Sequence, residues 1–143
     1  MTAKKAENPQ ELTATLKRWQ EIETASIAQT TAIIAKTGNP IIQLVMEIIR
    51  QDSFMHKRVQ QVILDSLERE AFSLTPEELG EIWGMVEKHA ELEKETIDLA
   101  EKAEKNCRLL VQKSLLAYLI EDEKKHDRLL EHLAEFKRKI YPG

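Results

Sequence analysis

The chain has 143 residues, 42% of them hydrophobic and 32% charged, with four glycines, four prolines and a formal net charge of −4. So few turn residues beside so many charges favour long helices over a turn-rich β architecture, and the length suits one all-α domain, residues 9–143, behind a flexible tail of residues 1–8. Lysines and arginines alternate with glutamates instead of forming a basic face, which argues against nucleic acid or membrane as partner, and a lone Cys107 excludes an internal disulfide or a Cys-x-x-Cys metal knuckle.

The opening residues, MTAKKAENPQEL, lack the apolar run of a secretory signal, and the most apolar stretch, NPIIQLVMEII, is too short to span a bilayer. With a single free thiol this reads as a cytoplasmic protein. Asn8, Pro9 and Glu11 have the form of a capping box with proline in the first turn, so helix 1 starts there. Its stripe runs Leu12, Leu16, Trp19, Glu23, Ile27, Ile34, which puts a carboxylate where spacing predicts an apolar residue. Thr37-Gly38-Asn39-Pro40 joins a glycine stop to an asparagine cap and a proline start, so the next helix is an antiparallel neighbour.

Helix 2 is expected from Pro40 to about Ala71, with Val45, Ile49, Val59 and Ile63 on a stripe that also holds Asp52 and His56. Ser73-Leu74-Thr75-Pro76 with Glu78 opens helix 3, whose stripe passes through Leu79, Ile82, Trp83 and Val86 to Glu93 and Ile97. Asn106 is the one candidate cap between helices 3 and 4. The last helix carries Leu115, Leu119, Leu129, Leu133, Phe136 and Ile140 on one stripe, with Asp122 and His126 continuing it and Glu123 one turn before His126. His89 is expected to pack near Trp19 or Trp83, His132 to face solvent, and Gly80 and Gly84 to admit close helix approach.

One offset relates these polar interruptions. Glu23 and Glu93, Asp52 and Asp122, His56 and His126, and Arg58 and Arg128 are each 70 residues apart, and apolar positions such as Ile27 and Ile97 or Val59 and Leu129 follow at the same shift. The chain therefore reads as a four-helix bundle built of two similar hairpins. At about 1.5 Å per residue, Glu23 and His56 lie at nearly equal distances, roughly 22 and 24 Å, from the turn that joins their helices. Glu23, His56, Glu93, Glu123 and His126 are expected at mid-height of the bundle, with Asp52 a further candidate on the His56 face.

A lone Glu from each of two helices and a Glu-x-x-His from the others resembles the ferritin-like superfamily, its rubrerythrin-type members included. Glu23 and Glu93 match the lone carboxylates, and Glu123-Lys124-Lys125-His126 matches one Glu-x-x-His. The sequence departs from the pattern at His56, which has Ser53 three residues before it and Asp52 four before it. The family also joins helices 2 and 3 by a long crossover, where this chain has a short capped loop. The resemblance implies metal ligation by Glu23, Asp52, His56, Glu93, Glu123 and His126, two irons as cofactor, and oxidation of Fe(II) by oxygen or peroxide. Manganese and zinc suit the same donors. A homodimer is compatible with long amphipathic helices. The competing reading is a metal-free helical bundle serving as an interaction or assembly module, its polar groups satisfied by Arg58, Arg128 or water.

Overall fold

A computed structural model describes residues 8–69, 72 and 75–140, with the side chain of Ile140 outside that set. The expected tail of residues 1–7, the expected helix-2 end at Ala71 and the loop residues Ser73 and Leu74 lie outside the described residues. The all-α, four-helix class expected from composition is what is observed: α1 (Pro9–Lys36), α2 (Pro40–Glu68), α3 (Pro76–Lys105) and α4 (Leu110–Ile140), with no strand among the described residues. None of these helices is long and apolar enough to cross a membrane.

The helix starts are written in short polar signals. Asn8 accepts from the Glu11 backbone N–H at 3.0 Å, and Asn39 accepts from Ile41 and Ile42 at 2.9 and 3.2 Å. Thr75 and Glu78 form a reciprocal capping box, and proline stands in the first turn of α1, α2 and α3. Each cap satisfies amide N–H groups that no helical carbonyl can reach and contributes about 1 kcal/mol. Helix α2 ends at Glu68, short of the expected boundary, because Arg69 turns to extended backbone at φ −127°, ψ −167°. Helix α3 closes at Asn106, as its sequence suggests.

The chain divides into two units, residues 1–72 and 73–143. In the first, α1 packs on α2; in the second, α3 packs on α4. Each unit is a helical hairpin, and its buried line is narrow. In α1 the buried positions are Leu16, Glu23 and Thr30, spaced by seven as in a coiled-coil seam. In α2 they are Ser53, Gln60 and Leu64; in α3 they are Leu79 and Glu93; Ile120 is buried on α4. Several residues of the expected stripe flank this line instead of filling it: Trp19 is 50% exposed, and Leu12, Val45 and Val59 are also exposed. Apolar periodicity marks a wide face, whereas one partner helix covers only its centre. Gly80 and Gly84 do not mark a close approach, since a Cβ at either would meet nothing within 4 Å.

Polar groups do much of the holding in the first hairpin. Ser53 Oγ bonds Ser26 Oγ at 3.0 Å, Arg50 Nη1 reaches Thr31 Oγ1 at 3.3 Å, and Gln20 Nε2 donates to the Lys57 carbonyl and to Gln61 Oε1 at 3.3 and 3.1 Å. Each such bond is worth about 1 kcal/mol net. Thr30 is buried without strain because its hydroxyl donates to the Ser26 and Ile27 carbonyls of its own helix.

Candidate metal centre

The second hairpin gathers the richer set of donors. Glu93 comes from the buried line of α3, while Glu123 and His126 come from one turn of α4, where a three-residue spacing keeps both on the face toward α3. One ligand atom from each of Glu93, Glu123 and His126 lies within 4.8 Å of the other two. His126 Nδ1 is 3.7 Å from Glu93 Oε1 and 3.9 Å from Glu123 Oε2, and its Nε2 is 3.4 Å from Asp122 Oδ2. His89, one turn before Glu93 on α3, places its Nε2 2.8 Å from Glu93 Oε1. The ring thus bonds to Glu93 without entering the three-donor set.

Two carboxylates this close, in a site shielded from water, cannot both be ionised without cost. Their acidities accordingly diverge. The hydrogen bond from Glu123, then those from His89 and the charge of His126, hold Glu93 below the usual carboxylate range against the opposing effect of burial. That same hydrogen bond, together with burial and the negative charge of Glu93, pushes Glu123 up. The two shifts run in opposite directions, as they do when one carboxyl group donates to another. With both carboxylates ionised, Glu93 Oε2 is a buried atom without a hydrogen-bond partner, on a residue only 8% exposed. An unpartnered buried carboxylate oxygen costs on the order of 1–3 kcal/mol, and a cation is the natural group to satisfy it.

The first hairpin holds a smaller version. His56 Nδ1 is 3.1 Å from Glu23 Oε2, across the seam between α2 and α1, with Glu23 buried and the ring half exposed. Ser53 occupies the place that Glu123 has in the repeat, and its hydroxyl is spent on Ser26. Asp52, half-buried on α2, does not join Glu23 and His56 in a set of three donors within 4.8 Å of one another. Its repeat partner Asp122 does touch its histidine; in the first hairpin the imidazole is committed to Glu23 instead. Arg58 and Arg128 are exposed, and no ion pair joins either to the buried glutamates.

Of the six residues expected to bind metal, Glu93, Glu123 and His126 come together as a three-donor set, Glu23 and His56 as a pair, and Asp52 stands aside. His89 stands one turn before Glu93, from where the sequence admits a further ligand or a donor to the carboxylate beside the favoured packing near Trp19 or Trp83, and it is the contact with Glu93 that is observed. Oxygen and imidazole donors without thiolate fit iron, manganese or zinc. Three donors held about 2.0–2.2 Å from one ion lie about 3.3–3.8 Å from one another, and His126 Nδ1 is already 3.7 and 3.9 Å from the two carboxylates. No protein-family model, no curated protein and no solved structure matches this chain.

Proposed function

We propose that this is a metal-binding helical protein of the ferritin-like kind, with Glu93, Glu123 and His126 holding an iron ion. The buried, unpartnered Oε2 of Glu93 beside a second carboxylate and an imidazole is the observation that carries this reading. Glu93 would supply charge from inside the seam, Glu123 a second carboxylate oxygen and His126 an imidazole nitrogen. Glu23 and His56 offer a second ion two donors, one fewer than the second hairpin provides. The bound metal supplies one-electron chemistry, and the reaction the resemblance implies is oxidation of Fe(II) by oxygen or peroxide. The single thiol, Cys107, is free, which fits a reducing cytoplasm.

Elemental analysis of protein purified from iron-, manganese- and zinc-supplemented media tests this directly. Metal should co-purify, and Glu93→Gln should lower its content to about a tenth or less of the wild-type value, since the variant removes the buried anion of the three-donor set. A wild-type chain that stays metal-free and is indifferent to added Fe(II) overturns the proposal.

The second reading, an interaction module without metal, draws on the shallow apolar groove of the first hairpin, lined by Leu16, Trp19, Val59 and Ile63 with His56 and Gln60. Under that reading a Glu93→Leu, His126→Leu double variant keeps or gains stability and loses nothing else.

A further inference from the structure

The geometry points to His89 as a positioning residue for the second hairpin's metal site, holding the Glu93 carboxylate in place without binding metal itself; this rests on the reading of Glu93, Glu123 and His126 as ligands. Three observations converge on it. His89 Nε2 lies 2.8 Å from Glu93 Oε1, the shortest contact that either oxygen of Glu93 makes with a nitrogen of the cluster, against 3.7 Å to His126 Nδ1. With its proton on Nε2, the ring donates to Oε1, the same oxygen that faces His126 Nδ1, and so fixes the rotation of the carboxylate about its own axis. His89 is also absent from the set of donors within 4.8 Å of one another, so the ring grips the carboxylate from outside the cluster.

Burial does not explain where the imidazole sits, because 58% of the His89 side chain is exposed. A histidine on the outer half of a helix is free to swing into water, and what holds this one is the glutamate. The repeat sharpens the point. Seventy residues earlier the equivalent position is Trp19, which stands half exposed and lines the groove beside His56. Glu23 therefore has only His56, from across the seam, to orient it. In the second hairpin the carboxylate is fixed along its own helix, and the imidazole of α4 remains available to an ion. A ligating carboxylate already held by a hydrogen bond loses less freedom on binding and stays oriented, which is worth about 10–100-fold in metal affinity.

The test is titration of metal-free protein with Co(II) alone, followed by calorimetry and visible absorption, in wild type, His89→Leu and His89→Gln. Glutamine carries its amide nitrogen at nearly the reach of imidazole Nε2, so it preserves the donated bond. The expected result is Co(II) affinity about 10–100-fold weaker in His89→Leu and within about threefold of wild type in His89→Gln. Helicity and thermal midpoint of the metal-free forms should stay equal, because the ring buries little surface. The absorption of the bound Co(II) should keep its shape in all three, since the ligand set is unchanged. Equal affinity of His89→Leu and wild type overturns the role of His89 and leaves the site standing. Equal weakness of both variants, with a changed spectrum, overturns it by making the imidazole a ligand. A wild-type protein that takes up no Co(II) overturns the site and the role of His89 together.

Discussion

The two hairpins carry the same plan and use it differently. In the first, the buried line between α1 and α2 is closed by direct polar bonds: Ser53 to Ser26, Arg50 to Thr31, Gln20 to Lys57 and Gln61, and His56 to Glu23, all between 3.0 and 3.3 Å. In the second, the ties drawn between α3 and α4 are longer, with His126 to Glu93 at 3.7 Å, Lys124 to Glu101 at 4.0 Å and Lys137 over the Trp83 ring at 4.3 Å. In the first seam the carboxylate and the hydroxyls already have partners, and the buried oxygen left over is the neutral amide Oε1 of Gln60, a weaker ligand than a carboxylate. The second seam has a surplus carboxylate and an orphaned carboxylate oxygen. The difference comes down to a few repeat-matched positions, of which Ser53 against Glu123 and Trp19 against His89 matter most.

Writing one hairpin's residue into the other tests that comparison, and Ser53→Glu should have the largest effect. It restores a carboxylate three residues before His56, so tight metal stoichiometry should rise by one ion per chain, read by titration with Co(II). Replacing a serine that is only 4% exposed overpacks the seam and should cost about 1–3 kcal/mol of stability in the metal-free form. Unchanged stoichiometry in a folded variant would mean that the missing glutamate is not what separates the hairpins.

The next effect concerns pH. Because Glu123 is raised by its hydrogen bond to Glu93, its contribution to stability is complete below the ordinary glutamate range and is lost as pH climbs through the raised value. Glu93, held low, contributes in the opposite sense: its share is present above the ordinary range and disappears as pH falls through the lowered value. In the presence of chelator, Glu123→Gln should therefore flatten the decline of thermal stability from mildly acidic to neutral pH and add on the order of 1 kcal/mol near neutrality. The equivalent position in the first hairpin, Ser53, has no such proton to lose. An identical slope in wild type and variant would refute the shared proton.

The smallest effect is expected from Gly84→Ala, which copies Ala14 from the matching place in α1. With open space where the Cβ would go, the variant should gain about 0.5–1 kcal/mol from reduced backbone entropy alone, measured as a higher denaturation midpoint without change in metal affinity.

Much of this was legible before any coordinates. Asn8, Asn39 and Thr75 announce helix starts because a short side-chain oxygen beside proline can do little else there. The 70-residue offset exposed Glu23, His56, Glu93 and His126 as one pattern, and Glu123 followed from helical spacing to His126. What spacing could not resolve was choice among rotamers. His89 and Glu93 share a face, but so do His89 and the tryptophan-bearing stripe, and only the hydrogen bond at 2.8 Å decides between them. Asp52 and Asp122 stand four residues before equivalent histidines, yet only Asp122 touches its ring. The buried places of Thr30 and Ser53 escaped notice because hydropathy does not distinguish a hydroxyl satisfied inside a seam from one in water.

The connectors at residues 37–39 and 106–109 have a consequence for which changes in length the protein can tolerate. One residue inserted within a helix turns everything beyond it by about 100°, so an insertion between Glu93 and Asn106, or between Leu110 and Glu123, would swing a ligand away from its partners. The same insertion inside a connector leaves every ligand facing as before and shifts only the join. Natural or engineered variation in length should accordingly collect at the hairpin bends, with the helical stretches between bend and ligand held at constant residue count.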